Sequence, residues 1–420
     1  MPFPYLLTQR QQAIVTKADE LAATFADRAV IHDPAGSFPH KNYRDLHDAG
    51  FLRLAIPREY GGEGADVFDA VLAHERLGRG DGATALVSGM YHSLFGRLRD
   101  DRPWPEPVFE AVCRGIADAG GAINSCVTEP ELGSISRGGQ PLTTATRVEG
   151  GWRIAGRKTF VTGAPMLRYF LTAVALPPTA AAPLGEMGFA IVQAGLPGLR
   201  IEPAWGDNLS LRGCGNDDVI FDGVVIPEDW LVERRPIKPP LQAVQGGVPS
   251  FGVNAWTLVV AAVYLGIGQG ALEAAADYAN GRVPSGLGQP IATQSHIQQW
   301  IGEIEVSLEA ARAVLYQTAR AWVEHPDQRQ ALGPHVAATK YLVTNTACTV
   351  TEKALRVAGG FSLTRALPLE RHFRDARGGL FQPPQDDLAL SYIGRTVLGG
   401  RPGRQPVAPV RDAENREDAA

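Results

Sequence analysis

The residues most able to do chemistry lie in two short segments that combine small hydroxyl side chains with an exposed backbone. The first covers residues 125–134, SCVTEPELGS, and the second covers residues 156–163, GRKTFVTG. Each segment places an aromatic or branched side chain beside the hydroxyls, as Phe160 stands between Thr159 and Thr162. Such a surface can hydrogen-bond to the edge of a flat, polar ring and stack against its face. The two segments therefore predict a binding site for a planar ring system.

The composition is that of a globular protein with no polyanionic partner. The chain has 420 residues, 45% hydrophobic and 20% charged, which is enough for two or three structural units around a large core. A net charge of -5 and a pI near 6.0 argue against nucleic-acid or anionic-membrane binding. Scattered cysteines without a CxxC pair predict free thiols in a reducing compartment. The first twelve residues show no basic region followed by an apolar core, so we expect a cytoplasmic location.

Several common motifs are missing or misleading. The nine histidines show no HExxH or paired ligand spacing, so we expect no metal, and there is no Gly-x-Ser-x-Gly elbow. The glycines of residues 266–270, GIGQG, lack the spacing of a dinucleotide-binding finger and no strand precedes them. We therefore expect a helix that packs closely on another helix. Gln269, Glu273 and Asp277 interrupt the same run, which argues against a membrane span.

The order of elements predicts an α+β fold. Apolar residues recur at helical spacing from residue 8 to about 115 and again from about 254 to 400. Between about 120 and 235 the chain is rich in short β-branched or aromatic runs separated by Gly and Asp, which is typical of an antiparallel sheet. Because helices and strands are segregated rather than alternating, a doubly wound parallel sheet is not expected.

These segments together resemble the acyl-CoA dehydrogenase family, over roughly residues 10 to 400. The motif at 56–62, IPREYGG, is similar to the family's N-terminal connector, and 211–227 resembles the strand pair that closes its middle domain. Residues 369–377, LERHFRDAR, resemble its C-terminal signature. By resemblance, the flavin contacts are assigned to Val127, Thr128, Gly133, Ser134, Phe160, Thr162, Arg282, Gly359 and Gly360.

The resemblance implies an organisation and a set of partners. It implies an N-terminal all-α domain (1–118), a middle β domain (119–235) and a C-terminal four-helix domain (236–400). The last twenty residues, 401–420, are rich in Arg, Pro, Asp and Glu, and this composition predicts a disordered tail. The resemblance further implies bound FAD, with FMN as the alternative, and a homodimer or homotetramer in which Arg282 reaches the cofactor of a neighbouring subunit. The implied reaction is α,β-dehydrogenation of an acyl thioester on CoA or a carrier protein, as in fatty acid metabolism, with an electron acceptor.

The catalytic carboxylate of that family is missing from both of its usual places. Counting about eight residues beyond Asp375 leads to Pro383, and the alternative position, near the start of the next domain's long helix, falls at about Trp256. An α-proton beside a thioester needs a base. Two candidates for the base remain. One is Asp386, if a shift of the loop brings it into the site, and the other is a water molecule held by Gln382.

Two alternatives remain open. A branch of flavin-dependent monooxygenases with the same scaffold receives reduced flavin from a separate reductase. That branch has a His-Asp-Pro segment where this chain has residues 382–384, QPP. That branch also has a histidine in its N-terminal domain, a place that His92 could fill. The other alternative is a non-catalytic protein that kept the flavin fold after its base was lost.

Overall fold

The computed structural model describes residues 5–133, 139–237 and 254–399. The predicted disordered tail, Ser134 and almost all of the Pro- and Gly-rich segment at 236–252 lie outside the described residues.

Helices fill the first part of the chain, and their ends follow from capping residues. Thr8 and Gln11 form a capping box at the start of the first helix: the Gln11 amide N–H donates to Thr8 Oγ1 at 3.2 Å and the Thr8 amide N–H to Gln11 Oε1 at 3.0 Å. Asp66 and Asp81 cap the third and fourth helices in the same region. These helices are α1 (Gln9–Ala35), α2 (His40–Asp48), α3 (Val67–Gly80), α4 (Gly82–Asp101) and α5 (Glu106–Ala119).

A twisted sheet follows, in the order β6-β7-β3-β2-β4-β5-β8, with β1 added beside β4. The pairings along the sheet are antiparallel except β1 with β4 and β2 with β4, which are parallel. β3 carries the second hydroxyl segment and pairs with β7, with a register shift between Lys158 and Val161. The strands are β1 (Ala122–Cys126), β2 (Thr144–Val148), β3 (Gly151–Val161), β4 (Leu167–Leu176), β5 (Glu186–Gln193), β6 (Leu199–Glu202), β7 (Asp217–Pro227) and β8 (Leu231–Pro236).

The last part of the described chain is helical again. Three long helices form a bundle, and two shorter ones pack against its third member. The segment between the two short helices contributes to the site described below. The helices are α6 (Thr257–Gly281), α7 (Ser295–Glu324), α8 (Arg329–Ala358), α9 (Leu369–Ala376) and α10 (Asp386–Val397).

The glycine-rich run lies in the middle of α6, a long and largely buried helix, where it crosses α3. A Cβ added at Gly266 would meet the Glu75 carbonyl oxygen at 2.1 Å, and one at Gly78 would meet the Val263 carbonyl oxygen at 2.4 Å. The predicted close helix packing is confirmed. By length and hydropathy α6 also resembles a membrane span. However, 83% of its apolar 18-residue stretch is buried within the protein, as in the core helix of a globular domain.

The N-terminal and C-terminal helices form one core. Arg312 of α7 donates from Nε to Glu75 Oε1 of α3 at 2.7 Å, and both side chains are buried. A buried charge pair of this kind is tolerated because each partner neutralises and hydrogen-bonds the other. The α+β architecture predicted from the sequence is confirmed: helices, then a sheet, then helices.

Candidate functional site

A cavity of about 690 Å³ lies where the three parts of the chain meet. One wall comes from β1 and β3, another from α4, a third from the start of α6, and the fourth from the segment that joins α9 to α10. Its size is within the range that buries a small-molecule ligand or cofactor. Apolar side chains predominate along α4, while most of the hydroxyl and amide groups come from β1, from the ends of β1 and β3, and from the loop before β7.

The two hydroxyl segments meet at this cavity. Val127, Thr128, Phe160 and Thr162 all contribute to its lining. Asn124 holds the segments together, because its Nδ2 donates to the Thr162 carbonyl oxygen at 2.9 Å. Residues distant in sequence therefore present their polar groups to one space.

Phe160 has an unusual backbone conformation. Its φ is 53°, in the left-handed region that a non-glycine residue rarely adopts, and it falls in the irregular part of the β3–β7 pairing. The ring is 58% exposed and lies edge-on to Trp205, with ring centroids 5.9 Å apart. Strained backbone and exposed aromatic surface persist where a ligand uses them. The arrangement presents an aromatic face to the cavity.

A buried ion pair supports the first hydroxyl segment from behind. Glu129, the residue after Thr128, accepts from Lys158 Nζ at 2.6 Å, from Thr143 Oγ1 at 2.7 Å and from the Leu142 amide at 2.7 Å. Burial favours the neutral acid, but these hydrogen bonds outweigh it and hold the pKa of Glu129 below its ordinary value. The carboxylate is thus fully used in fixing the segment.

The loop before β7 closes another side of the cavity. Its residue Leu211 has φ 57°, and the Leu211 amide donates to Asp375 Oδ1 of α9 at 2.6 Å. Ser210 Oγ donates to the Asp375 carbonyl oxygen at 3.2 Å. Burial raises the pKa of Asp375 to about 7. α9 therefore fixes the position of the loop.

Within residues 5–133, 139–237 and 254–399, no carboxylate and no imidazole lines this cavity. Pro383 lies in the wall where the sequence comparison would place the base. Trp256 is buried outside the cavity and donates from Nε1 to Asp100 Oδ2 at 3.0 Å, while Asn254 and Thr257 line the cavity beside it. Both usual places for a base are thus occupied by groups that take no proton at neutral pH.

Three family models match the chain in order. The N-terminal domain of acyl-CoA dehydrogenases matches residues 8–98, the middle domain matches 124–224 and the C-terminal domain matches 258–379. The chain belongs to the acyl-CoA dehydrogenase family. The resemblance seen in the sequence is confirmed.

Individual relatives of this acyl-CoA dehydrogenase family member differ in their named reactions. The chain is 36% identical over 389 residues to the putative acyl-CoA dehydrogenase YdbM of Bacillus subtilis, covering 93% of this chain and 97% of the relative. It is 29% identical over 398 residues to 3-sulfinopropanoyl-CoA desulfinase of Paraburkholderia xenovorans, covering 94% and 97%. The solved dibenzothiophene monooxygenase of Paenibacillus sp. A11-2 shares the fold, with TM-score 0.77, 23% identity and coverage of 93% and 98%.

The cavity fits the flavin that acyl-CoA dehydrogenases and their structural neighbours bind, FAD or FMN. Asn216 Oδ1 and Gln385 Oε1 are buried without a hydrogen-bond partner among the described residues, and both residues line the cavity. A flavin edge offers N–H donors and carbonyl acceptors that can satisfy such groups. Thr128, Thr162 and the exposed ring of Phe160 would hold its edge and its face.

Two of the three predicted catalytic residues lie outside the lining. Asp386 pairs with the buried Lys340, with Nζ 3.4 Å from Oδ1, and accepts from Asn345 Nδ2 at 2.9 Å. His92 is buried inside α4 with its Nδ1 2.7 Å from the Ser88 carbonyl oxygen. Gln382 does line the cavity. Asp386 is thus committed to joining α10 to α8, and His92 to the interior of the N-terminal helices.

Arg282, Gly359 and Gly360 line a different pocket, of about 430 Å³, at the outer end of the bundle. The Arg282 guanidinium lies 5.1 Å from the centre of the Phe361 ring. Gly133 precedes the segment that is not described and forms a bridge with Glu129. A Cβ at Gly359 or Gly360 would meet nothing within 4 Å, so both glycines leave open space.

Sequence reasoning missed several residues of the wall. Arg97 and Arg377 line the cavity, as do Asn124 and Asn254. Arg97 could have been found from its spacing, because it lies seven residues after Met90 on one helical face. For the asparagines no pattern in the sequence distinguishes a cavity position from a surface one.

Proposed function

We propose that this chain is a flavin-dependent monooxygenase that receives reduced flavin from a separate reductase. The observation that supports it is the wall of the cavity, in which no described residue is an acid or an imidazole. Dehydrogenation of a thioester begins with removal of an α-proton, and that step needs a positioned base. Oxygenation does not begin with removal of a proton from the substrate carbon, so it is compatible with this wall, which also lacks the His-Asp pair of the monooxygenase branch.

When bound, reduced flavin would supply two electrons to O₂, so that one oxygen atom would enter the substrate and the other would leave as water. The chain's own residues bind, orient and exclude water. Leu86, Met90 and Leu94 make the α4 side of the cavity apolar, which limits loss of the reduced oxygen species to solvent. Ser125 and Thr128 line the cavity with hydroxyl donors that could stabilise developing negative charge.

A second candidate function is α,β-dehydrogenation of an acyl thioester. The names of the relatives favour it, since both the 36% and the 29% identical proteins are named for acyl-CoA chemistry. Gln382 lines the cavity next to the place of the family's base, so a water held by its amide would have to take the proton. This route lacks the carboxylate that makes the reaction fast in the family.

In either case we propose that the chain works as a homodimer or homotetramer. Arg282, Gly359 and Gly360 face a pocket remote from the flavin-binding segments, so in one chain they do not reach the same cavity. A neighbouring subunit would bring the cofactor's phosphate end to them. Arg282 is suited to this role because its guanidinium forms paired hydrogen bonds with phosphate.

The two candidates give opposite results in two experiments. Under anaerobic conditions the flavin-loaded protein is mixed with butanoyl-CoA, and we expect its absorbance to stay unbleached. Under isotopically labelled oxygen gas in place of air, NADH, a flavin reductase and a panel of aromatic acids are added, and we expect one labelled atom in a product. Bleaching by the thioester with no label incorporated would replace the proposal by dehydrogenation. A purified protein without flavin absorbance that also fails to bind added FAD or FMN would show a non-catalytic role.

A further inference from the structure

One face of α4 ends in a positive charge inside the cavity. Leu86, Met90, Ser93, Leu94 and Arg97 all line it. Their separations of three and four residues place them on one face of the helix. The apolar wall made by this helix thus finishes in a guanidinium.

The charges of the cavity are of one sign. Arg97 and Arg377 line it, and in the described part of the chain no Asp, Glu or Lys does. Arg377 is already occupied: its Nη2 donates to the Cys348 carbonyl oxygen at 2.9 Å, its Nε to that of Phe373 at 3.3 Å, and it stacks on the Phe373 ring at 4.2 Å. Arg97 is therefore the cation to examine.

Arg97 is only loosely paired. Its Nη2 lies 3.5 Å from Glu233 Oε1 and its Nη1 lies 3.9 Å from Asp101 Oδ2, whereas charged N–H···O bonds are about 2.7–2.9 Å long. Glu233 Oε1 also accepts from Trp104 Nε1 at 2.9 Å, which draws the carboxylate toward the indole. The Arg97 side chain is only 17% exposed, so water does not screen it fully.

We propose that Arg97 binds an anionic oxyacid group of the substrate: a carboxylate, sulfinate or sulfonate. The planar guanidinium offers two parallel N–H donors that match two oxygens of such a group. The apolar stripe of α4 would contact the carbon skeleton of the same molecule. The inference rests on the proposed function only in taking this cavity as the substrate site.

Equilibrium binding to the flavin-loaded full-length protein tests the assignment without turnover. The probes are 3-phenylpropanoate and 3-phenylpropanamide, which have nearly the same shape and differ in charge. Their binding is measured by the change that it causes in the flavin absorbance. Wild type is expected to bind the carboxylate at least about tenfold more tightly than the amide. In Arg97→Gln the preference should disappear while the affinity for the amide is kept. 2-Phenylethanesulfinate and 2-phenylethanesulfonate in the same titration show which oxyanion is preferred.

Two further variants separate binding from a structural role. Glu233→Gln keeps an acceptor for Trp104 but removes the competing charge, so it should strengthen binding of the carboxylate about threefold or more. Arg377→Gln should leave the preference in place. Equal binding of the two probes by wild type, or binding of neither, would overturn the proposal, as would a preference that follows Arg377. An anion preference with no oxygenation would instead count against the proposed function alone.

Discussion

Thr162 connects the second hydroxyl segment to the first, through its carbonyl oxygen and Asn124. Its side chain lies at the cavity and its residue is mostly buried. Thr162→Val keeps the size of the side chain and removes one hydroxyl, so it should weaken flavin binding by about 1 kcal/mol, or roughly fivefold. Fluorescence titration with FMN and FAD measures this. Thr146→Val, an exposed strand residue outside the cavity, is the matched control, and equal affinities for all three proteins would remove Thr162 from the site.

The contacts of Asp386 predict that its loss affects the stability of the protein, whereas a catalytic role would predict an effect on the rate of flavin reduction. Lys340 is buried, and its Nζ also donates to the Gly379 carbonyl oxygen at 3.0 Å. That hydrogen bond does not depend on Asp386. Asp386→Asn should lower the free energy of unfolding by about 1–2 kcal/mol, because a buried ammonium loses its counter-ion. The rate of flavin reduction or reoxidation should change less than about twofold. A hundredfold slower flavin reduction in Asp386→Asn would restore it as the base.

Residue types predicted part of the site and not the rest. Thr128, Phe160 and Thr162 could be found because small hydroxyls beside an aromatic residue form a recognisable pattern. Asp386 illustrates the limit: its distance from the cavity depends on how residues 381–385 turn, and spacing along the chain does not give a direction in space. Arg97 was missed because an arginine near the end of a helix is usually solvated.

At the scale of elements, the crossing of α3 and α6 depends on the absence of side chains. A methyl group at Gly266 would overlap the Glu75 carbonyl oxygen, so the two helices would have to separate. Gly266→Ala should destabilise the protein by about 2–3 kcal/mol or more. Gly302→Ala is the control, because its added methyl group meets nothing within 4 Å in the interior of α7 and should stabilise by about 0.5–1 kcal/mol.

Chemical denaturation at neutral pH compares the two glycine variants. Opposite signs support the packing argument, and destabilisation by Gly302→Ala or neutrality of Gly266→Ala contradicts it. The glycines at 266–270 were enough to predict close packing on another helix, but not that this helix is α3. The order of strands was not predictable, because the alternation that identifies a strand is the same whichever neighbour it pairs with. The parallel neighbours β1 and β4 depend on that order.

The molecule as a whole contains buried ionisable groups whose effects on stability change with pH in opposite directions. Burial lowers the pKa of His74 to about 3 and that of His92 to about 4, so below pH 6.5 the unfolded chain takes up protons that the folded one does not. These histidines therefore make the protein less stable as the pH falls. Asp375 acts the other way: its pKa is raised to about 7, so the folded state holds a proton more firmly, and its contribution to stability is lost as the pH rises toward 7.

Replacing His92 or Asp375 should therefore change the difference in unfolding free energy between pH 5 and pH 7, with opposite signs for the two residues. Between pH 7 and pH 5 each group changes the free energy of unfolding by about 2 kcal/mol. His92→Gln should raise the stability at pH 5 relative to pH 7 by about that amount, and Asp375→Asn should lower it by a similar amount. Urea unfolding at both pH values measures the differences, with the exposed His335→Gln as control. A common pH profile in all four proteins would mean that neither buried group titrates as its surroundings require. A tilt in His92→Gln alone would assign the acid sensitivity to the N-terminal helices and leave Asp375 ionised beneath the cavity loop.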